Sequence, residues 1–457
     1  VATLPDTMVW LANRVVGLTG RGPAVRHRLA LGLGCTSAVA WGAATSDGAL
    51  MHARNFDYHG VDCWPKTAAV LFHEPDEGQR YVAFGAAGVP LGGITAMNEA
   101  GLTLTVHQHM FTDQATLGGT PIGIVGDEVM RHARDLGDAE RILGAHRPIG
   151  CWTYVITDGK SREVLCWEEN PHRRIALRPE PGATTFGYSN IYIDPELGAT
   201  EADHYPSYWR NNERRFRRAG ALLEERSGAL TPQAMAEILA DRGGRGEEGC
   251  RISDSISMVM TVGSIVFEPA KGRMWVGTGE APTSDGRFLP FELEGERQVE
   301  ELAPLDVQVD TLDAQRAFAS FREAFVAYVD REDPSEARRL LDLASGLAPR
   351  ESIYRFGAGL VSLDAGDLPA AAAALDEALA LGHPDLERIS SFHLWRGRVA
   401  DLRGQREEAK RHYRLSLGRR GDDPVRKAAR RGLRRPYTER RRRALQIEMA
   451  FIDVIEP

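Results

Sequence analysis

The stretch GCTSAVAWGAATSDGALMHARNFDYHG, residues 34–60, places Cys35 directly after a glycine at the head of an apolar strand, with Arg54 and Asp57 one hairpin later. A thiol becomes a nucleophile by losing its proton, and a neighbouring guanidinium favours that loss through its charge. A carboxylate nearby accepts hydrogen bonds from a proton donor. Cys35, with Arg54 and Asp57 close in sequence, is therefore a candidate nucleophile. The blander assignment of the same residues is a small hydrophobe in a strand with a salt bridge beside a turn. His107 and His109 alternate in LTLTVHQH and share one face of a strand. Such a pair suits zinc, a polar pocket wall, or a papain-like base for Cys35. No third ligand accompanies them and the residues around Cys35 lack the papain-type signature, so polar lining of a substrate pocket or satisfied strand histidines are the expected roles, His107 being counted with the pocket, and no metal and no cofactor are expected.

Groups of this kind work only when a rigid frame holds them. TSAVAWGAA, a Thr45-Ser46-Asp47-Gly48 turn and ALMHARNFD read as a β-hairpin. Further strands are expected at AAVLFHE, RYVAFGAAG, GITAMN, LTLTVHQH, WTYVITD, EVLCWEE, TTFGYSN, ISMVMTVGSIVFEP and RMWVGTG. Helical patterns occur at GIVGDEVMRHARDLG, SYWRNNERRFRRAGALLEER and TPQAMAEILADR, the last with Thr231 as N-cap and Pro232 in the first turn. Many strands with few helices between them favour antiparallel sheets covered by helices.

The 457 residues, 43% of them hydrophobic, suffice for two compact domains. No run approaches the roughly 18 apolar residues of a membrane span. Five cysteines without CxxC spacing argue against a disulfide framework or a structural zinc site, so at least one thiol should be free. The net charge of -8 is uneven, with 17 Lys and Arg against 9 Asp and Glu over residues 401–457. One aromatic and helix-compatible spacing in RGLRRPYTERRRRAL favour a solvated helical face over nucleic-acid binding.

After about Val309 the chain turns to helical segments rich in Ala, Leu and Arg. Gly366 and Gly404, 38 residues apart, each end one helix before another begins. This periodicity loosely resembles tetratricopeptide repeats, whose period is about 34 residues. Arg403, Arg406, Lys410, Arg411 and Arg414 are expected to make one face basic, suited to a protein partner or an acidic carrier.

The passage around Cys35 resembles the N-terminal nucleophile (Ntn) hydrolases of the choloylglycine hydrolase and isopenicillin N acyltransferase type, including penicillin V acylase and acid ceramidase relatives. In that family a precursor is cut immediately before a cysteine. The resemblance extends over most of residues 35–293: Arg54 and Asp57 of HARNFDY match its Arg-x-x-Asp element, and Met97-Asn98-Glu99-Ala100-Gly101-Leu102 matches a further segment. Asn98 is read as a turn residue before Gly101. By the same resemblance Gln108 falls at the backbone N–H that helps bind the oxyanion, Asn190 of FGYSNIY completes the oxyanion hole, and Arg215 before Phe216 is the later active-site arginine, with Arg214 as competitor. The family's Arg-His-Pro after a late cysteine is replaced by Arg251-Ile252-Ser253 after Cys250.

The resemblance implies a self-cleaving precursor. An N-terminal α-amine, with a reference pKa of about 7.7 to 8.0, serves as base for its own thiol. The expected architecture is α+β, a four-layer αββα Ntn-hydrolase sandwich over residues 35–300, preceded by a pro-segment, 1–34, cut off between Gly34 and Cys35. An all-α tetratricopeptide-like domain follows over residues 310–457 and adds no catalytic group. The expected activity is cleavage of a carbon-nitrogen bond in an N-acyl amide through a Cys35 thioester, the acyl group passing to water or an amine. The alternative is an inactive hydrolase fold whose repeats form a protein-binding scaffold. The non-Met start suggests processing, with a lean toward the cell envelope or periplasm.

Overall fold

The computed structural model describes residues 34–87, 92–110, 112, 114–116, 118–201, 206–243, 252, 255–307, 311–419, 421 and 423–454, together with residues 6 and 10. Two antiparallel sheets face each other. The first contains β1 (Gly34–Ala40), β2 (Met51–Asp57), β10 (Thr185–Tyr188), β11 (Thr261–Glu268), β12 (Arg273–Gly277) and β13 (Arg287–Glu292), in the order β10-β1-β2-β11-β12-β13, with two short strands pairing on β13. The second is a meander of β3 (Ala68–His73), β4 (Tyr81–Ala86), β5 (Thr95–Asn98), β6 (Leu102–Gln108), β7 (Trp152–Asp158), β8 (Glu163–Glu169) and β9 (Arg174–Leu177).

Helices α1 (Ile122–His132) and α2 (Leu136–Ala145) cover the outer face of the second sheet, and α3 (Pro206–Glu225) and α4 (Pro232–Leu239) cover that of the first. The result is the αββα order. The sequence pattern predicts one helix over 123–137, but the chain breaks at Ala133, and Asp135 begins α2 by accepting a hydrogen bond from the Asp138 N–H. β11 likewise starts at Thr261 rather than at Ile256. Residues 255–260 instead form a buried irregular segment that supplies Ile256, Met258 and Met260 to the core.

The alternation of side chains sets what each layer contains. In β1, Ala38 and Ala40 face α3 and α4, whereas Cys35, Ser37 and Val39 face the opposite sheet. The middle of that inter-sheet layer is polar. Ser37 Oγ lies 2.9 Å from Thr105 Oγ1, 3.0 Å from His107 Nε2 and 3.1 Å from His52 Nε2. His52 Nδ1 meets Thr103 Oγ1 at 2.7 Å, and Thr103 meets Thr157 at 2.6 Å. Burial, reinforced by the Arg54 charge, pushes the His52 pKa down to about 3, so both ring nitrogens take part as neutral imidazole.

Ahead of a short helix (Glu439–Arg442) and a C-terminal hairpin that pairs Ile447–Glu448 with Asp453–Val454, seven longer helices follow among the described residues, α5 (Leu312–Val329), α6 (Pro334–Leu347), α7 (Ser352–Ala365), α8 (Leu368–Leu381), α9 (Leu386–Leu402), α10 (Arg406–Leu417) and α11 (Asp423–Arg434). They pack as successive antiparallel neighbours. Gly366 closes α7 in the left-handed region at φ 85°, where a side chain is strained, and Gly404 does the same after α9 at φ 74°. Of the residues expected to form a basic face, Arg406 is engaged by Asp401 and the carbonyls of Gly432 and Leu433 and Lys410 pairs with Glu407, whereas Arg403, Arg411 and Arg414 are exposed. The apolar core is continuous between sandwich and helices, joining Phe56, Val61 and Trp64 to Phe318 and Phe321. Among the described residues no helix is long and apolar enough to cross a membrane.

Candidate active site

Cys35 stands second in β1, 5% exposed, at a cleft of about 30 Å³ walled by Phe56, Tyr58, Val106, Gln108, Trp152 and Asn190. A larger cavity of about 420 Å³, among Arg242, Thr278, Glu280 and Phe318, contains none of the predicted site residues. The register of β1 and β2 pairs Cys35 with Phe56 and Ser37 with Arg54, so Arg54 points into the inter-sheet layer beside the thiol. Its guanidinium Nη2 donates to Cys35 Sγ at 3.0 Å. Burial pushes the Cys35 thiol above its ordinary pKa, and the Arg54 charge opposes this without reversing it.

The backbone of Cys35 is gripped from the other side. Its N–H donates to Asn190 Oδ1 at 2.7 Å, and its carbonyl accepts from Arg215 Nη1 at 2.7 Å. Arg215 also reaches Thr36 Oγ1 at 2.9 Å and Asn190 Oδ1 at 3.1 Å, and Asn211 and Asn212 of the same helix hold it at 2.8 and 2.6 Å. Arg214 points away, to Asp385. Asn190 Nδ2 donates to the Gln108 carbonyl at 2.9 Å.

Gln108 lies opposite Trp152, and because the His109 N–H donates to the Cys151 carbonyl this is a non-hydrogen-bonded pair. Its backbone N–H and C=O therefore both face away from β7, on the side of Asn190. The Gln108 side chain lies on the cleft wall with Nε2 buried and without a partner among the described residues.

Asp57 pairs with Gly34 across the strands and is 1% exposed. Its Oδ1 accepts from Thr261 Oγ1 at 2.6 Å, while Oδ2 is buried with no hydrogen-bond donor among the described residues and lies 4.0 Å from Arg215 Nη1. Burial raises its pKa against the pull of Arg215, Thr261 and Arg54. A Cβ added at Gly34 would sit 2.9 Å from Asp57 Oδ2 and 3.2 Å from Arg215 Nη2, so a larger residue before the cysteine would have to displace the ends of these two buried side chains.

The structure thus gathers Gly34, Cys35, Arg54, Asp57, Gln108, Asn190 and Arg215 from four elements, β1, β2, β6 and α3, and the turn after β10. His107 belongs to the polar layer behind the cleft rather than to its wall, because odd residues of β6 face Ser37. His109 pairs with Glu201 at 2.8 Å, and no group of three His, Cys, Asp or Glu suited to a metal occurs among the described residues. Asn98 ties the turn before Gly101 to α1 through the Met130 and Ala133 carbonyls. Thr36, Asn211, Asn212 and Thr261 were not singled out in the sequence. The helical offsets of Asn211 and Asn212 from Arg215, four and three residues, are the one signal that could have marked them. The described cysteines Cys35, Cys63, Cys151 and Cys166 are all unpaired, and Cys250 and Arg251 lie outside the described residues. Of the expected pro-segment, Asp6 is buried, its carboxylate accepting from Trp152 Nε1 at 2.9 Å and from the Ile122 N–H at 3.1 Å.

An uncharacterized protein of Archaeoglobus fulgidus is 29% identical over 133 residues, 29% of this chain and 22% of the relative, so the match spans about a fifth of that relative's length. Among solved structures, a Caenorhabditis elegans N-acylethanolamine-hydrolyzing acid amidase ortholog is similar at 15% identity and a TM-score of 0.35, over 51% of this chain and 93% of that one. The N-terminal domain of stress-induced protein-1 from C. elegans matches at 17% identity and a TM-score of 0.26, over 28% of this chain and 100% of the domain. The profile of the acyl-coenzyme A:6-aminopenicillanic acid acyl-transferase family matches residues 43–281, beginning just past Cys35. That match spans just over half of the chain, from the β1–β2 hairpin through the strands and helices that build the cleft, and the protein belongs to the acyl-coenzyme A:6-aminopenicillanic acid acyl-transferase family.

Proposed function

We propose that this chain is the precursor of a cysteine N-terminal nucleophile hydrolase or acyltransferase that cuts itself between Gly34 and Cys35 and then cleaves the amide bond of an N-acyl substrate. The observation that carries the reading is the buried Asp57 Oδ2, which has no donor among the described residues and lies against Gly34, the residue whose bond to the Cys35 nitrogen the cut would break to leave an α-ammonium. A carboxylate oxygen left unpaired in the interior is costly, and an ammonium at that nitrogen would satisfy it.

In the first step the Cys35 sulfur attacks the Gly34 carbonyl, the C–N bond breaks, and the nitrogen leaves as an amine carrying the thiol proton. Water then hydrolyses the thioester, restoring the thiol and freeing residues 1–34 with a terminal carboxylate. In turnover the α-amine takes the proton from the thiol, the sulfur attacks the substrate carbonyl, and the proton passes on to the departing amine. Arg54 favours the thiolate. The Asn190 side chain and the Gln108 N–H would meet the carbonyl oxygen as it becomes negative, each such donor being worth about 3 kcal/mol. Arg215 and Asp57 hold the backbone ends of Cys35 so that sulfur and amine stay adjacent. Water or an amine then accepts the acyl group.

Intact-mass measurement tests the reading. Full-length protein should yield two chains divided at Gly34–Cys35, whereas Cys35→Ala should stay single and inactive toward N-acyl amides. Activity in a preparation that remains one uncut chain would overturn it.

A further inference from the structure

Helix α3 carries two sets of side chains that serve different parts of the molecule. Arg215 and Asn212 reach Cys35, Thr36 and Asn190, and Asn211 holds Arg215. The preceding turns, through Ser207, Arg210 and Arg214, reach the helical domain instead. Positions 207, 210 and 214 follow the i, i+3, i+7 spacing of one helix stripe, so a rotation of α3 that moves one set moves the other.

The helical domain's side of this contact centres on Asp385. Its carboxylate caps α9 by accepting from the Glu387 N–H at 2.9 Å, and its other oxygen accepts from Arg214 Nη2 at 2.8 Å. Arg210 lies 3.9 Å from the same carboxylate and 3.3 Å from Glu387. The Arg210 and Asp385 side chains are only 8% and 10% exposed, which removes most solvent screening from the pair. Burial alone would raise the Asp385 pKa, but Arg214 and Arg210 together hold it below the usual carboxylate value. A second tie runs through the C-terminal hairpin. Ser207 donates to Asp453, and Asp453 lies 3.4 Å from Arg388, a fully buried residue of α9 that also donates to the Phe451 and Ile452 carbonyls.

We propose that the helical domain is a positioning element of the Cys35 site, with Asp385 setting through Arg214 and Arg210 the place of α3 and hence of Arg215. The proposal rests on the reading of Cys35 given above, and it replaces the expectation that the repeats merely dock a partner. Asp385 touches no reacting atom. Its effect arises because Arg215 and Asn212 fix the Cys35 carbonyl and Asn190, and displacing such groups by about 1 Å costs on the order of 100-fold in rate.

The rate of Gly34–Cys35 scission in the full-length chain tests this without an external substrate. Asp385→Ala should slow scission about tenfold or more, with Asp385→Glu recovering most of it because the charge is kept. Arg214→Gln, at a residue 28% exposed, should slow it by a smaller factor and carries the test if Asp385→Ala does not fold. Glu407→Gln, which removes an exposed pair with Lys410 in the same domain, should cut at the wild-type rate. Circular dichroism and melting curves on each variant separate slow scission from unfolding. Wild-type protein that never cuts would bring down the function itself. Wild-type protein that cuts while folded Asp385→Ala and Arg214→Gln cut equally fast would overturn this proposal alone, as would slowing that Asp385→Glu fails to relieve.

Discussion

Asp57 in the sandwich and Asp401 in the helical domain are both aspartates with fully buried side chains, yet their surroundings are opposite. Asp401 is saturated: Arg406 reaches both its oxygens, and the Tyr413 hydroxyl and Tyr437 N–H add to Oδ2 at 2.7 and 2.8 Å. Asp57 has one satisfied oxygen and one that faces Gly34 without a donor. A fully used carboxylate fastens a turn to its helices. A partly used one, on the proposed function, would take up the α-ammonium that cutting at Gly34–Cys35 creates.

The sharpest way to break this contrast is to neutralise both. Asp57→Asn should lower turnover by about 100-fold or more, the range of a lost acid-base partner, while the protein stays folded. Asp401→Asn should do the reverse, lowering stability by about 2 kcal/mol with turnover per folded molecule unchanged, since Arg406 is only partly buried and some of the loss is screened. Melting curves and kcat on the same preparations decide between them, and equal loss of kcat in both would erase the distinction.

A next test separates transition-state contacts from ground-state ones. Asn190→Ala should reduce kcat by about 100-fold with KM nearly constant, because charge on the carbonyl oxygen develops only in the transition state. An unchanged kcat with a raised KM would move Asn190 to the pocket wall.

The smallest effect concerns Glu169, a buried carboxyl of β8 that accepts from Trp167 Nε1 at 2.8 Å and Tyr154 Oη at 3.2 Å. Burial raises its pKa from 4.5 to about 7, so the folded protein binds the proton more tightly than the unfolded chain. Stability from this group is therefore full below about pH 4.5 and is lost as pH rises through about 7, a few kcal/mol at most. Glu169→Gln should flatten the decline of melting temperature over that interval, and an unaltered slope would refute the assignment.

The parts of this arrangement legible in the sequence are those that local patterning encodes. Alternation marked β6, β7 and β8, the Thr231-Pro232 start marked α4, and the glycine before Cys35 marked a strand end with special demands. What escaped were pairings between distant residues. Thr261 meets Asp57 across 204 positions and Arg214 meets Asp385 across 171, and no periodicity links such pairs. The break between α1 and α2 escaped for a different reason: the apolar spacing runs nearly unbroken through Ala133, and only the capping bond of Asp135 reveals the stop. His107 was assigned to the pocket because its strand was clear while the direction of its face was not.

The hydroxyl and imidazole layer between the sheets has a consequence for how the molecule tolerates change. An oily interface accepts many sliding arrangements at similar energy, whereas hydrogen bonds among Ser37, His52, Thr103, Thr105 and His107 are met at one alignment and broken at its neighbours. The layer works like the teeth of a gear, indexing one sheet against the other two residues along β1 from the thiol. Replacing it with apolar side chains of similar volume would yield a protein as stable or more so, whose sheets had lost their stop.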